Sequence, residues 1–489
     1  MKKPVSKIFI VMAFLLALNS VPVVGQGAAE ITYGKGFRND QNGWIYVHIE
    51  GGAKKRGEQL GYLLAAEIDD YFKLLKAKIE GEKNEHSWAD YRKASEDFII
   101  PNMEKEREYL DELKGIITGL TKAGISTYDL TDIITLNAGM EIDTYYDSLP
   151  ETSGTKRNLV FRGLSAKRER TRCSAFIATG SSTKSGKIVL AHNTWDAYVV
   201  AQRSNIILDI KPSRGARILM QGGGPGYIHS GTDVAITSYG LMITETTIAG
   251  VKGFDTGGIP EFIRMRKATQ YSKSIDAFYK TMFTGNNGGY PCSWLVGDTK
   301  TNEIAKIEIA YNNVAFYRSM DGYYDGENYV DDSKMIREVN DGHFRWDVSN
   351  NGLWPFSFKC ANSSSSRRMR WFSMLDANKG QIEIEKAKEF LSDQIDPLTG
   401  LFTPGPNAIM SRWEIYEPLP APEGACDGMV ATSELTAQMS IWGRFDHTDG
   451  STFTWDEFLN AHPEFAWQKP YLRALNDNPW TLFSVAPKK

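Results

Sequence analysis

The 489-residue chain is 42% hydrophobic and 12% aromatic, enough for a sizeable core, and its 56 Lys and Arg against 60 Asp and Glu leave a net charge of −4. That near-balance gives no electrostatic reason to expect nucleic acid, and no nucleic-acid motif is present. The four cysteines and seven histidines include no CxxC pair and no HExxH, so no metal and no cofactor is expected.

Lys2 and Lys3, the apolar stretch Ile8–Leu18 and the small residues Val23-Val24-Gly25 read as a signal peptide over residues 1–25, which predicts an exported chain, secreted or periplasmic. The apolar stretch is shorter than the roughly 20 residues a membrane span needs, and no later window approaches that length, so no integral membrane segment is expected. Residues 26–148 read as mainly helical. A strand at Trp44–Glu50 precedes a helix over Lys54–Lys78, whose Leu60, Leu63, Leu64, Ile68, Phe72 and Leu75 share one face. Further helical regions cover Trp88–Ala123, interrupted near Pro101, and Leu130–Tyr146. Residues 149–172 break into Ser, Thr and Gly with Lys156, Arg157, Arg162, Lys167, Arg168, Arg170 and Arg172, an exposed, protease-accessible linker.

From Cys173 to Lys489 the texture changes to strands: Asn205–Ile210, Ile218–Gln221, Val234–Ser238, Leu241–Thr247, Trp294–Asp298, Glu303–Ile309 and Val314–Tyr317. Helices over Pro260–Gln270 and Ser274–Phe283 interrupt them, which suits a layered architecture better than repeated βαβ units. Gly222–Gly226 lacks the Lys-Ser/Thr of a phosphate loop, and the acidic runs Asp321–Asp332 and Asp446–Glu457 lack calcium-loop spacing; all three read as turns.

The chemistry concentrates at Cys173, which opens the strand Cys173–Thr179. After the Gly180–Gly186 turn, Lys187–Ala191 returns as its hairpin partner and brings His192, Asn193 and Asp196 to the end where Cys173 sits. A thiol beside such polar side chains has the parts of a compact hydrolytic centre; the alternative is a small buried hydrophobe. His192 reads either as a site residue or as a hydrogen-bonded core histidine. Asn286 and Asn287, in the Gly285–Tyr290 loop, are donor candidates for an oxyanion, although Asn287-Gly288 is also a strong turn pair. Trp195, Glu245, Thr246 and Arg412 are candidate substrate contacts. Arg412 has the donor fork for a substrate carboxylate or phosphate and equally for an internal acid.

The run Cys173-Ser174-Ala175, followed by Leu190-Ala191-His192-Asn193-Thr194-Trp195, resembles the phospholipase B-like proteins, a branch of the N-terminal-nucleophile hydrolases. Further matches keep the same order: Gly240–Ile248, Glu261-Phe262-Ile263-Arg264, Tyr290–Asp298, Ser411-Arg412 and Phe465–Lys469. Upstream, Gly43–Tyr46 and Arg56–Leu63 follow a pattern shared with the penicillin acyltransferase group. The resemblance implies an α+β fold, a four-layer αββα sandwich with a mainly helical N-terminal segment. It also implies cleavage between Arg172 and Cys173, a light piece (26–172) and a heavy piece (173–489) that stay associated, and Cys173 as a nucleophile served by its own α-amino group. With a thiol near pKa 8.5 and an α-amine near 7.7–8.0, the two can exchange a proton around neutrality. The implied substrate is an acylated small molecule or lipid, cleaved at an ester or amide bond. Acyl transfer to an amine, hydrolysis of a peptide or bile-acid conjugate, and non-catalytic lipid or glycan binding are the competing readings. The chain departs from its relatives before Trp294, where Cys292 stands in place of an expected asparagine. With Cys173 as nucleophile, Cys292, Cys360 and Cys426 are an odd set that can form one disulfide at most.

Overall fold

The computed structural model describes residues 30–81, 86–149, 173–231, 234–248, 253–327, 363–418 and 420–485. The expected signal segment and nearly all of the basic linker, Arg172 included, lie outside them, as does Cys360. Two sheets are stacked face to face. The larger has ten strands in the order 31–33, 36–41, 44–51, 206–212, 218–222, 235–237, 241–247, 292–298, 303–309 and 314–319. The smaller has six, in the order 322–326, 174–179, 189–193, 427–432, 440–445 and 481–484. Every pairing in both is antiparallel except that of Trp44–Gly51 with Ile206–Pro212.

Strand alternation sorts the apolar residues into three cores. Ala175, Ile177, Leu190, Ile207, Leu219, Met242, Leu295 and Met429 meet between the sheets. On the outer face of the larger sheet, Ile45, Val47, Leu208 and Ile243 pack against helices that include Ala53–Leu63, Arg107–Lys122 and Glu261–Tyr271. On the outer face of the smaller sheet, Phe176, Ala178, Val189 and Ala191 pack against Trp371, Leu375, Phe390 and Leu391 of helices Ser363–Ala377 and Ile384–Leu391. The four layers are therefore α, β, β, α, an α+β sandwich.

The structure alters several expectations. The segment before residue 149 is helical but also supplies three strands, so it shares a sheet with the chain beyond Cys173. The first long helix breaks at Leu64 into Ala53–Leu63 and Ala65–Gly81. The second region is interrupted near Pro101, as expected: the α-helix Trp88–Ala94 passes into a π-helical turn at Ser95–Ile99, the short helix Ile100–Met103 holds Pro101, and the chain leaves helix before Arg107. Gly322–Gly326, read as part of an acidic turn, is an edge strand paired with the Cys173 strand. Among the described residues no helix is long and apolar enough to cross a membrane.

Candidate active site

Ser174–Thr179 pairs with Val189–Asn193 as the hairpin pattern predicts, with Ser174 opposite Asn193 and Ala175 opposite His192. Ala175 and Leu190 face the space between the sheets, whereas Phe176 and Ala191 face the outer helices. The same alternation puts Cys173 and His192 on the inter-sheet side and Ser174 and Asn193 on the helical side. Cys173 is 4% exposed and has φ +60°, in the left-handed region that non-glycine residues seldom occupy.

Three groups fasten the start of this strand. Asn193 accepts from the Ser174 N–H through Oδ1 at 3.1 Å and donates through Nδ2 to the Ile409 carbonyl at 3.1 Å. Arg367, fully buried on helix Ser363–Ala377, donates through Nη1 to the Cys173 carbonyl and to Ser174 Oγ (2.7 Å). It also donates through Nη2 to the Glu327 carbonyl (3.0 Å) and through Nε to Ser363 Oγ (3.2 Å). The guanidinium thereby ties the start of the Cys173 strand to Glu327 and to its own helix. Its Cζ lies 4.9 Å from the centroid of the Trp195 ring, a cation–π contact that holds the fork in plane. The third group is Asp427, which accepts from the Thr194 N–H (2.9 Å) and, from across the inter-sheet space, from Gln221 Nε2 (2.7 Å). Burial pushes its carboxyl up to about 6.

Across the inter-sheet space from this strand is a row of polar side chains. Gly326 lies opposite Ala175, and a Cβ placed on it would come 2.7 Å from Thr246 Oγ1, which fixes Thr246 on the inter-sheet face. Thr244 and Ser293 lie on that same face, Ser293 opposite Thr246 in register. The hydroxyls of Thr244, Thr246 and Ser293 are buried with no hydrogen-bond partner, and the buried His192 ring lies beside the Glu245 backbone. Buried polar atoms without partners are what a polar substrate or water satisfies. Burial holds the His192 imidazole down at about 3, so it is neutral at any physiological pH and offers one donor and one acceptor rather than a charge.

Other sequence candidates fall elsewhere. Asn287 sits in a buried network on the helical side of the ten-stranded sheet. Its Nδ2 donates to Glu141 Oε2 (2.5 Å), and its Oδ1 accepts from Arg264 Nη2 (3.0 Å) and the Gly289 N–H (3.0 Å). Both ends of the amide are therefore engaged away from Cys173. Its neighbour Asn286 donates to the Ala310 carbonyl (2.8 Å). Glu245, adjacent to Thr246, points to the same helical side and accepts from the Tyr290 hydroxyl at 2.7 Å. Arg412 takes the internal acid, donating through Nε to Glu414 Oε1 at 2.8 Å; Glu414 also accepts from the Tyr198 hydroxyl at 2.9 Å. Asp196 accepts from the Ala197 N–H at 2.8 Å near the end of the Cys173 hairpin. Cys173, Cys292 and Cys426 are buried thiols, none of them in a disulfide.

Residues 61–367, more than half of the chain, match the model of the family described as Phospholipase B. The chain belongs to the phospholipase B family. A relative from Archaeoglobus fulgidus, an uncharacterized protein, is 22% identical over an alignment of 377 residues that covers 73% of this chain and 58% of that one. The chain thus spans a little over half the length of that relative. Among solved structures, a conjugated bile acid hydrolase from Clostridium perfringens is similar at 11% identity over 56% of this chain and 89% of its own, with a TM-score of 0.34. Penicillin V acylase from Agrobacterium tumefaciens is similar at 10% identity over 55% and 82%, with a TM-score of 0.29. The family match ends at Arg367, so it takes in Cys173, His192, Thr246 and Ser293 but not Ile409 or Asp427.

Proposed function

We propose that this chain is an exported thiol hydrolase that matures by cleavage before Cys173 and then cleaves an acyl ester or amide through an acyl-thioester on that residue. The observation that carries the reading is the convergence at one strand end. Arg367 and Asn193 hold the backbone of Cys173 and Ser174, and buried hydroxyls without partners line the other sheet across from that strand.

In this mechanism the α-amine freed at Cys173 takes the thiol proton as sulfur attacks the acyl carbonyl. The proton passes to the leaving group as the tetrahedral intermediate collapses, and water then hydrolyses the thioester. Arg367 fixes the nucleophile and places positive charge where negative charge develops. Neutral His192 and the hydroxyls of Thr246 and Ser293 orient the substrate. The φ of +60° at Cys173 supports maturation from the uncut chain, since a residue held in that region stores about 1–3 kcal/mol that cleavage of its preceding peptide bond releases. Export rests on the charged, apolar and small-residue pattern of residues 1–25.

The test is to incubate mature protein with an acyl substrate, quench in acid and locate the acyl group by mass spectrometry. An acyl group on Cys173 that hydroxylamine removes is the expected result; turnover that persists in Cys173→Ala refutes it. Maturation is tested on purified precursor. Cys173→Ala should stay whole and Arg172→Gln should still split before residue 173, whereas the reverse pattern would assign the cut to another protease.

A further inference from the structure

Behind the ten-stranded sheet, on the side away from the Cys173 hairpin, lies a cavity that the mechanism above does not use. Ser293 faces the space between the sheets, so its neighbours Cys292 and Trp294 face the helices on the other side, where both join the apolar core. Cys292, Glu261, Arg264, Met282 and Asn286 line the cavity. It leaves about 10 Å³ for the centre of a water-sized molecule, about the least that holds one, and continues past half-buried Asn286 into a space of about 220 Å³ that includes open solvent. Glu261 is 4% exposed, and its carboxyl oxygen Oε1 is buried with no hydrogen-bond partner. Arg264 is held in place, donating through Nε to the Ile259 carbonyl (3.0 Å), through Nη1 to the Met282 carbonyl and through Nη2 to Asn287 Oδ1 (3.0 Å). A thiol, a carboxyl and a fixed guanidinium therefore share a space the size of one small molecule.

We propose that this cavity admits hydrogen peroxide and that Cys292 is a site of oxidation to sulfenic acid, with Glu261 relaying the proton. The Cys292 sulfur attacks one peroxide oxygen, so that an S–O bond forms as the O–O bond breaks. Glu261 gives its carboxyl proton to the departing hydroxide, which leaves as water, and takes the thiol proton on its other oxygen. Thiol and peroxide thus become sulfenic acid and water: sulfur loses two electrons, the peroxide gains them, and the carboxyl ends as it began. Burial above all, with the neighbouring Glu141 and Glu245 carboxyls adding to it, raises the Glu261 carboxyl to about 8 against the opposing charge of Arg264, so at neutral pH it carries the proton that the relay needs. Arg264 supplies positive charge beside Cys292 as the sulfur gives up its proton. The product carries one added oxygen, which occupies the space that the peroxide held. An alkyl hydroperoxide has the same O–O bond, but a bulky alkyl group has no room there.

The test exposes the purified protein to hydrogen peroxide for timed intervals. Catalase ends the reaction, urea with dimedone opens the chain and traps sulfenic acid, and peptide mass spectrometry assigns the label to each cysteine. Cys426, buried as well but no part of the cavity lining, is the internal reference. Cys292 should be oxidised about tenfold faster than Cys426 or more, since reactivity follows access and a nearby positive charge. With each rate divided by that of the same oxidant on free cysteine, tert-butyl hydroperoxide should oxidise Cys292 about tenfold more slowly than hydrogen peroxide or more. Glu261→Gln keeps the size of the side chain but cannot relay a proton, and it should slow Cys292 about a hundredfold, the lower end of what a positioned proton donor contributes, with Cys426 unchanged. Label that rises on Cys426 marks an unfolded variant, and the comparison of the two oxidants on the parent protein then decides. Equal rates at Cys292 and Cys426, equal response to the two oxidants, or an undiminished rate in folded Glu261→Gln each overturn the proposal.

Discussion

Gly61→Ala sets intrinsic helix propensity against packing, and the structure decides the sign. Helices Ala53–Leu63 and Arg107–Lys122 cross with glycine against backbone at four places. A Cβ on Gly61 would lie 2.2 Å from the Ile116 carbonyl oxygen and 2.8 Å from the Ile116 carbonyl carbon and Cα. On Gly57 it would lie 1.8 Å from Glu112 O, on Gly115 2.3 Å from Lys54 O, and on Gly119 2.2 Å from Glu58 O. Replacing a mid-helix glycine by alanine gains about 1 kcal/mol of helix propensity. A relaxed carbon contact needs roughly 3.5 Å, so the two helices must part by about 1 Å, which forfeits a quarter to a half of the dispersion along their contact. The obstructing atoms are main chain and cannot rotate away. The overpacking penalty of about 1–3 kcal/mol therefore falls at its upper end and leaves a net loss of about 2 kcal/mol. The same crossing carries the buried pair Arg56 Nη2–Glu112 Oε2 at 2.5 Å, which a parted helix pair would strain further. Urea unfolding of Gly61→Ala should show a lowered midpoint. Gly139→Ala, where an added Cβ meets nothing within 4 Å, should be unchanged or gain up to about 1 kcal/mol. If Gly61→Ala is as stable as the parent, the reading of the crossing is wrong.

Arg367→Lys keeps the charge but loses the planar fork that reaches four oxygens, so two or more charge-assisted hydrogen bonds go, at about 1.5–3 kcal/mol each. Turnover should fall at least a hundredfold, and a variant with parental kcat/KM would remove Arg367 from the site. Asn193→Leu strands the Ser174 N–H and the Ile409 carbonyl, both buried, at about 1–3 kcal/mol each, which thermal unfolding should register. Asn193→Asp keeps the acceptor for Ser174 and should lose less; equal losses would deny that acceptor a role. For Glu261, burial raises the carboxyl from its ordinary value to about 8. The folded state then holds a proton that the unfolded state releases, so the group's contribution is complete below the unfolded pKa of about 4.3 and drains away as pH rises to about 8. Unfolding midpoints of the parent should accordingly fall relative to Glu261→Gln between pH 5 and 8, and parallel curves would contradict the sign.

Periodicity made the middle of the chain legible. The hairpin after Cys173, strand Leu241–Thr247 and the two helices after it lie where alternation and 3.6-residue spacing put them. Strand Gly36–Gln41 was hidden because its sequence, GFRNDQ, is almost wholly polar and it lies near the sheet edge. Helix Ser363–Ala377 was hidden for a related reason. Ser363, Ser364, Ser366 and Arg367 make a polar tract with no apolar periodicity, yet all four are buried, and Arg367 reaches the Cys173 strand. Hydropathy cannot distinguish a polar residue facing water from one facing a carbonyl. Asn287 and Arg412 show the complementary limit. Their functional groups suited an oxyanion and a substrate acid, but Glu141 and Glu414, far off or unremarked in the sequence, are the partners the fold supplies. Arg367 lies 194 residues from Cys173 and meets it only because the fold packs its helix on the outer face of the Cys173 sheet.

The placement of the expected cut follows from which contacts join the two pieces. Strand Trp44–Gly51, from the segment ahead of the linker, pairs along its length with Ile206–Pro212 from the segment behind it. At the centre of that pairing Asp209 is fully buried and accepts from Tyr46 Oη (2.9 Å) on the first segment and from Arg217 Nε and Nη2 (2.7 and 2.6 Å) on the second, with His48 Nδ1 at 2.7 Å. Farther along, Glu141 on the first segment accepts from the Glu261 N–H at 3.0 Å and so caps a helix of the second, whose own preceding residue, Pro260, has no side chain able to do so. Under the proposed maturation, opening the chain before Cys173 leaves whole the strand that begins at Ser174, and the two pieces keep the sheet, the Asp209 cluster and the helix cap that they share.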